Sequence, residues 1–379
     1  MHLADQHQGE PGFRILILTY SKALTRDLHR LLENKIRDHE SEDALQYKRM
    51  IVVDDIEHLM ESILNEGLGT EEAEKWRAEM QAGLSTPSDY LDFKLPEKCQ
   101  DILYLGNEQF QLYDYLLVDE VQDFSDFFLD VAMCLLKKRE NIFMVGDTGQ
   151  KLFNRRHSLS DLGIVEERAR IRGHYRMYRN PKLIAQLAWN FLRLDHLIIH
   201  DLREEEYADE IKSKNSSLTQ PVFKYFQTRE ILFAQVCEDI IEIINFTFRA
   251  RHEQILCIGL PDTLALLHHM LIEKAIPVCW AHEISSESKV ILADFTASKG
   301  LEREYVYILD VDRLPDGGLT QERLFSSSHS LEVEARSSRI KIFVALTRVI
   351  HELYLYYTNP SYRFIRELQA LQRAQGSTK

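Results

Sequence analysis

Residues 115–123 read YLLVDEVQD, an apolar and aromatic run that drives straight into three acids and a glutamine. A strand that simply ends in a solvated acidic loop is the ordinary outcome for such a cluster. Its neighbours in the chain argue otherwise. RILILTY (14–20) is another apolar run of strand length, and SKALTRDLHRLLENKI follows it with Leu24, Leu28, Leu31 and Leu32 at helical spacing. NIFMVGD (141–147) is a third run, set off from the first by the helical stretch FSDFFLDVAMCLLKK. QILCIGL (254–260), KVILADF (289–295) and YVYILDV (305–311) continue the series, again with helical stretches between them. Alternation of this kind predicts an α/β fold with parallel sheets covered on both faces. Parallel sheets present their chemistry at the carboxyl ends of their strands, and Asp119-Glu120 sits at one such end.

Composition bounds the rest. A chain of 379 residues predicts two or three domains, and the motifs set out below divide it into two, 1–168 and 169–379. The hydrophobic share of 45% and charged share of 28% are those of an ordinary globular protein. No apolar run approaches the ~18–20 residues that span a bilayer, and the N-terminal MHLADQHQGE has no basic-then-apolar signal pattern. Cys99, Cys134, Cys237, Cys257 and Cys279 are scattered and form no CxxC, which argues against a disulfide framework or a zinc site and predicts a reducing, cytoplasmic location. A net charge of −14 disfavours an extended nucleic-acid-binding face but leaves room for a local basic groove. The acidic, aperiodic segment 201–221 reads as a solvated connection.

Several short motifs carry chemistry. A nucleoside triphosphatase needs one carboxylate to hold Mg2+ and another to orient or deprotonate water, and adjacent acids at a strand tip can do both. GDTGQ (146–150) ends the next strand; its glycines permit close backbone approach, and Gln150 could reach a phosphate or a water. A tight turn is the plainer reading of the same residues. Tyr175-Arg176 precede a helix through Leu183, Ile184, Leu187 and Ala188, where a ring can stack on a purine and a guanidinium can meet a phosphate. A surface aromatic beside a cation is the commoner fate of that pair. Lys299-Gly300 opens the turn before a strand. KIFVALTRVIHELYLYY (341–357) turns Ile342, Val344, Ala345 and Val349 inward and brings Arg348 to a helix end, either as an arginine finger or as a cation favoured by the helix dipole.

In order and spacing the set resembles the UvrD/Rep/PcrA-type DNA helicases of superfamily 1, over about residues 14–365. DEVQD corresponds to motif II, GDTGQ to motif III, Tyr175-Arg176 to motif IV, KGLE to motif V, VALTR to motif VI and ILILTYSKAL to motif Ia. The resemblance implies two RecA-like lobes, ATP and Mg2+ as cofactors, and single-stranded DNA as partner. By the same resemblance Asp119 holds Mg2+, Glu120 activates water, and Gln150 and Arg176 contact the γ-phosphate. Tyr175 stacks on adenine, Gly300 lies in the turn that approaches the nucleotide, Glu302 approaches the ribose, and Arg348 is the finger. Thr19 and Tyr20 meet the DNA strand, and Phe153 stacks on a base.

One signature of the family is missing. A P-loop reads G-x-x-x-x-G-K-[ST], and the dipeptide Gly-Lys occurs nowhere in the sequence. Fourteen residues precede Ile15, too few for a strand plus a crossover of at least ~10–12 residues. The expectation is a helicase or translocase core that begins after its P-loop and is inactive alone. The alternative is a non-catalytic module that binds DNA, nucleotide or a protein. A partner or an upstream segment would supply the missing loop. A DNA-contacting turn expected near 52–58 reads VVDDIEH, whose acids repel phosphate, so DNA binding should be weak. PSDYLDFK (87–94) has acids too close together for a nuclease and reads as a solvated loop. Loss of the P-loop strand is expected to leave strand 115–119 with an unpaired edge.

Overall fold

The computed structural model describes residues 2–7, 10–37, 41–82, 89–106, 110–146, 180–201, 217–246, 250–284, 287–317 and 328–376. The chain divides into two compact units, Met1–Ile171 and Arg172–Lys379. Each is built on a wholly parallel sheet, so the α/β class expected from the alternating pattern is what the chain adopts.

In the first unit β1 (Ile15–Thr19), β2 (Ile51–Asp55), β3 (Tyr115–Val118) and β4 (Ile142–Met144) lie in the order β2-β1-β3-β4. Side chains alternate across the sheet. Leu16, Leu18, Leu116 and Val118 enter one core with the helices Ile56–Leu68, Leu95–Gly106 and Asp126–Cys134. Ile15, Ile51 and Val53 enter a second core with Phe13, Ile36 and Tyr47, on the side of the helix Lys22–Arg37. That second face is unevenly covered. Val53, Ile17, Leu117 and Phe143 stand opposite one another across the four strands. Val53 is buried, Ile17 and Leu117 are half-buried, and Phe143 is 63% exposed.

The expectation of an unpaired edge on strand 115–119 is overturned. β3 is an inner strand, paired with β1 through Leu18↔Val118 and with β4 through Val118↔Met144. The edge strands among the described residues are β2 and β4. VVDDIEH, where the resemblance placed a DNA-contacting turn, is instead the end of β2 and the start of the helix Ile56–Leu68; Asp55 caps that helix by accepting the His58 N–H at 2.9 Å. PSDYLDFK is no loop where it is described. Residues Tyr90–Lys94 form a π-helical turn that runs into Leu95–Gly106, and buried Tyr90 donates to Glu61 at 2.9 Å. Leu31, expected on the buried helical face, is 48% exposed, while Ala23 and Ile36 are buried instead.

The second unit holds β5 (Val222–Tyr225), β6 (Ile255–Gly259), β7 (Val278–Trp280), β8 (Val290–Asp294), β9 (Arg303–Leu309) and β10 (Val349–Tyr357), in the order β5-β10-β9-β6-β8-β7. Both of its faces are dry. Cys257, Leu292, Tyr307 and Tyr356 pack with the helices Arg229–Ile241 and Pro261–Glu273. On the opposite face Leu256, Ile258, Val306, Ile308, Leu353 and Leu355 are fully buried. Val349, expected on a helix, begins β10, because the helix Ser328–Leu346 ends before Arg348. β5 begins immediately after the segment read as a solvated connection, most of which lies outside the described residues.

Candidate functional site

β3 delivers its backbone into a tight acidic corner. The Asp119 N–H donates to the Leu18 carbonyl at 3.0 Å, one residue beyond the strand. Asp119 Oδ1 accepts the Glu120 N–H at 2.9 Å. Glu120 is left-handed, with φ 55° and ψ 43°, a conformation that costs a residue with a Cβ about 1 kcal/mol or more. Its surroundings hold it there. The Val121 N–H donates to the Val145 carbonyl at 2.9 Å, and Gln122 Nε2 donates to Glu120 Oε2 at 2.5 Å. A 3-10 turn, Val121–Asp123, follows, with Gln122 and Asp123 buried.

Gly146 locks this corner to β4. A Cβ on Gly146 would lie 2.5 Å from Gln122 Oε1 and 2.8 Å from Val121 Cγ1, so only glycine lets the outgoing backbone pass. The acids at the end of β3 and the first residue of GDTGQ are thus one packed object. Asp119 and Glu120 both keep part of their surface open.

The donor set suits a magnesium ion of a particular kind. Mg2+ is commonly held by one or two carboxylates together with substrate phosphates, whereas a resident protein-caged ion needs more ligands. Among the described residues there is no group of three or more His, Cys, Asp or Glu that could hold a metal. Asp119, part-exposed with one oxygen tied to backbone, fits the shared kind.

The neighbouring strand ends are less open than the resemblance implied. Thr19 is fully buried, and its hydroxyl lies 3.1 Å from the Ser21 carbonyl and 2.7 Å from the Thr25 hydroxyl. The Tyr20 ring packs against Phe124 and Phe128 at 6.2 and 6.5 Å. At the end of β2, burial pushes the Asp54 carboxyl up, while the charge and hydrogen bond of His58, 2.8 Å away, work against that rise.

In the second unit, Asp294 Oδ1 accepts the N–H groups of Thr296 and Ala297 at 2.7 and 2.8 Å and so starts the turn after β8. That turn carries buried Lys299 and then Gly300, whose φ of 79° suits glycine. Half-buried Glu302 leads into β9, and its carbonyl accepts from Arg303 at 2.6 Å. Arg348 is buried; its Nε donates to the Val344 carbonyl at 2.9 Å and its Nη2 to Thr347 Oγ1 at 3.0 Å. Asn180, not singled out from the sequence, anchors the same turn by donating to the Thr347 and Val349 carbonyls at 2.9 and 2.7 Å. The signal for it was present in Asn180-Pro181, a dipeptide that marks a turn. Gln150, Phe153, Tyr175 and Arg176 lie outside the described residues.

Residues 99–162, which include the acidic corner, match the model of the UvrD/REP helicase N-terminal domain. The match covers a minor part of the chain and supports a helicase-type function. No curated protein matches the chain. Among solved structures, the C-terminal domain of a possible DNA helicase from Lactobacillus plantarum WCFS1 is similar at 16% identity, covering 51% of this chain and 96% of that one. The TM-score of 0.32 is too low for that likeness to carry an argument. No helix among the described residues is long and apolar enough to cross a membrane.

Proposed function

We propose that the chain is the core of a UvrD-like, ATP-dependent DNA helicase or translocase whose phosphate cradle is not encoded within these 379 residues. The observation that carries this reading is the corner at the end of β3. Asp119 and Glu120 are held part-open there, with Gln122 donating to Glu120 and the Val121 N–H tying the corner to the Val145 carbonyl just beyond β4. In this reading Asp119 holds the Mg2+ of a bound nucleotide, and that ion would neutralise phosphate charge. Glu120, steadied by Gln122, takes a proton from the attacking water. Arg348 belongs to the second unit, and acting as a finger would require it to leave its bonds to Val344 and Thr347.

A second reading is favoured by one observation, the absence of any Gly-Lys pair. Without the lysine and its nest of backbone N–H groups, the β- and γ-phosphates have no cradle. The chain would then be a non-catalytic module for DNA, nucleotide or a protein partner, whereas a partner that supplies the loop would return it to the first reading.

Titration of a fluorescent ATP analogue, alongside phosphate-release assays with single-stranded DNA, separates the two. The chain alone is expected to bind the analogue weakly, with Tyr175→Ala weakening it more than Asp119→Ala, and to release no phosphate. DNA-stimulated release abolished by Glu120→Gln would refute the expected inactivity and establish the motor. Absence of any Mg2+-dependent nucleotide binding would sink the nucleotide reading altogether.

A further inference from the structure

The helix Arg363–Gly376 of the second unit carries a basic stripe on an acidic protein. Phe364, Ile365 and Leu368 form its buried face. Arg363, Arg366, Ala370 and Arg373 follow one another at i, i+3, i+7 and i+10, which lays them along a single stripe about 15 Å long. That stripe lines an open groove of about 820 Å3, whose lining is completed by Glu367, Gln369 and the residues Asp316, Pro360 and Ser361 of two nearby turns.

The groove is held in shape from below. Buried Tyr362, just before the helix, donates its hydroxyl to the Leu314 carbonyl at 2.9 Å. Arg363 Nη1 donates to the Asp316 carbonyl at 3.2 Å. Gly317 makes that turn possible with φ 84°, and a Cβ there would stand 3.3 Å from the Cβ of Ala335. Farther along, Gln372 Nε2 donates to the Pro221 carbonyl at 2.7 Å. Glu367 is neutralised twice: Oε1 accepts from Arg363 Nε at 2.9 Å and Oε2 from Arg339 Nη2 at 2.8 Å. Arg339 is 1% exposed, lies between the Phe191 and Phe364 rings at 4.5 and 4.7 Å, and donates to the Phe191 carbonyl. A buried cation is costly unless paired, so Glu367 is bound to its place and unavailable to cancel the rest of the stripe. Arg366 is exposed and enters no ion pair among the described residues, and the short side chain of Ala370 leaves a hollow one turn farther along the helix.

We propose that this groove is a docking site for an acidic peptide segment of a protein partner. Carboxylates of the segment meet Arg366 and the open side of Arg363 through charge-assisted, bidentate hydrogen bonds, the geometry a guanidinium fork is shaped for. Arg373 extends the same attraction along the stripe, and the hollow at Ala370 takes a side chain between the carboxylates. Because the helix is already pinned at both ends, this side of the interface has little ordering left to do. The lining also selects the kind of anion. A nucleic-acid strand carries a charge on every residue and would set some of them against Asp316 and Glu367. An acidic peptide can put carboxylates at the arginines and neutral residues at the acids. On a chain of net charge −14 an acidic partner is repelled by most of the remaining surface, which confines docking to this stripe and fixes its register. The proposal rests on the groove alone and not on nucleotide binding at Asp119.

The test uses the full chain and a fluorescein-labelled peptide of alternating glutamate and serine, read by anisotropy beside a matched glutamine-serine peptide. The acidic peptide is expected to bind and the neutral one is not. Arg366→Gln should weaken binding about two- to fivefold, the value of one exposed ion pair, and Arg366→Lys should keep part of it. Ala370→Leu changes no charge at an exposed helical position and should weaken binding as well, by filling the hollow. Lys75→Gln removes one positive charge from an exposed position of the helix Thr70–Ala82 in the first unit and should leave binding unchanged. Thermal melting followed by circular dichroism shows that each variant is folded. No binding of the acidic peptide overturns the proposal. A loss with Lys75→Gln equal to that with Arg366→Gln, or none with Ala370→Leu, would mean diffuse attraction and overturns it too. Oligo-dT bound with this variant pattern in place of the peptide would make the groove a nucleic-acid site. Self-association of the chain in sedimentation, abolished by Ala370→Leu and without peptide binding, would make its occupant a second copy. Either result overturns the peptide assignment. None of these readouts involves nucleotide, so failure at Asp119 and failure here remain separate results.

Discussion

The corner after β3 and the corner after β9 use one backbone device for opposite ends. In each, a parallel strand ends at an acid in the left-handed region, Glu120 at φ 55° and Asp310 at φ 51°. In each, a 3-10 turn follows at once, Val121–Asp123 in one and Val311–Arg313 in the other. The carboxylates then diverge. Glu120 stays part-exposed and is steadied by one glutamine. Asp310 is fully buried beneath two arginines and a threonine. The turn therefore fixes where an acid points, and its partners decide whether that acid faces reagents or organises cations.

Neutralising the two acids should separate these roles most sharply. Asp310→Asn leaves Arg229 without its buried counter-ion, and breaking one side of such a pair costs about 3–5 kcal/mol. Glu120→Gln changes a part-exposed group, for which about 0.5 kcal/mol or less is expected. Urea unfolding monitored by fluorescence gives both numbers. Equal losses would mean that the two corners are not different in kind.

Gly146→Ala attacks the first corner through its neighbour. The added Cβ would sit 2.5 Å from Gln122 Oε1 and 2.8 Å from Val121 Cγ1, and overpacking of this sort costs about 1–3 kcal/mol. Because Gln122 also holds Glu120, the nuclear magnetic resonance signals of residues 119–123 should shift together with the loss of stability. A variant as stable as the parent would show that Gln122 can swing aside and that the corner is looser than it looks.

The smallest effect belongs to the exposed rim of the second corner, where Asp262 accepts from Arg313 at 2.6 Å. Asp262 has a folded pKa below the ordinary carboxyl value of 3.8. Its contribution is therefore complete above that value and is lost as pH falls through the lower folded one. The difference in urea midpoint between the parent chain and Asp262→Asn should be constant from pH 7 to about pH 5 and shrink in stronger acid. Because Asp262 is about half exposed, the difference should be small throughout. A difference that grows in acid would reverse the sign of the pair.

Much of this was legible in the sequence. Strand-length apolar runs alternating with helical spacing reported the parallel sheets, and DEVQD reported the corner after β3 because its acids are contiguous. The pattern failed where chemistry depends on residues far apart. Arg229, Thr263 and Asp310 meet only because β6 and β9 are neighbours, and no local spacing records that. The resemblance gave Thr19 to the DNA strand, yet the residue is buried and its hydroxyl serves the following helix. The turn that the resemblance placed near 52–58 is the end of β2 and the start of a helix, because Val52 and Val53 continue a strand whose register the sheet sets. The place of the open edge was misjudged for a similar reason: strand neighbours are a property of the sheet order, and β3 turned out to be paired on both sides.

The edge at β4 has a consequence for how the protein behaves at high concentration. Leu116 and Val145 N–H groups bond Asn141 and Val118, which directs the odd-numbered amides of β4 toward β3 and those of Ile142 and Met144 outward. Beside them stand Phe143 and Val145, 63% and 48% exposed. Outward amides with an apolar row alongside make a template on which further copies can add strand by strand, and the acidic charge of the chain is the force that keeps copies apart. Solubility should consequently fall as salt screens that charge, and Phe143→Lys should restore it by replacing an apolar ring at the edge with a hydrated side chain.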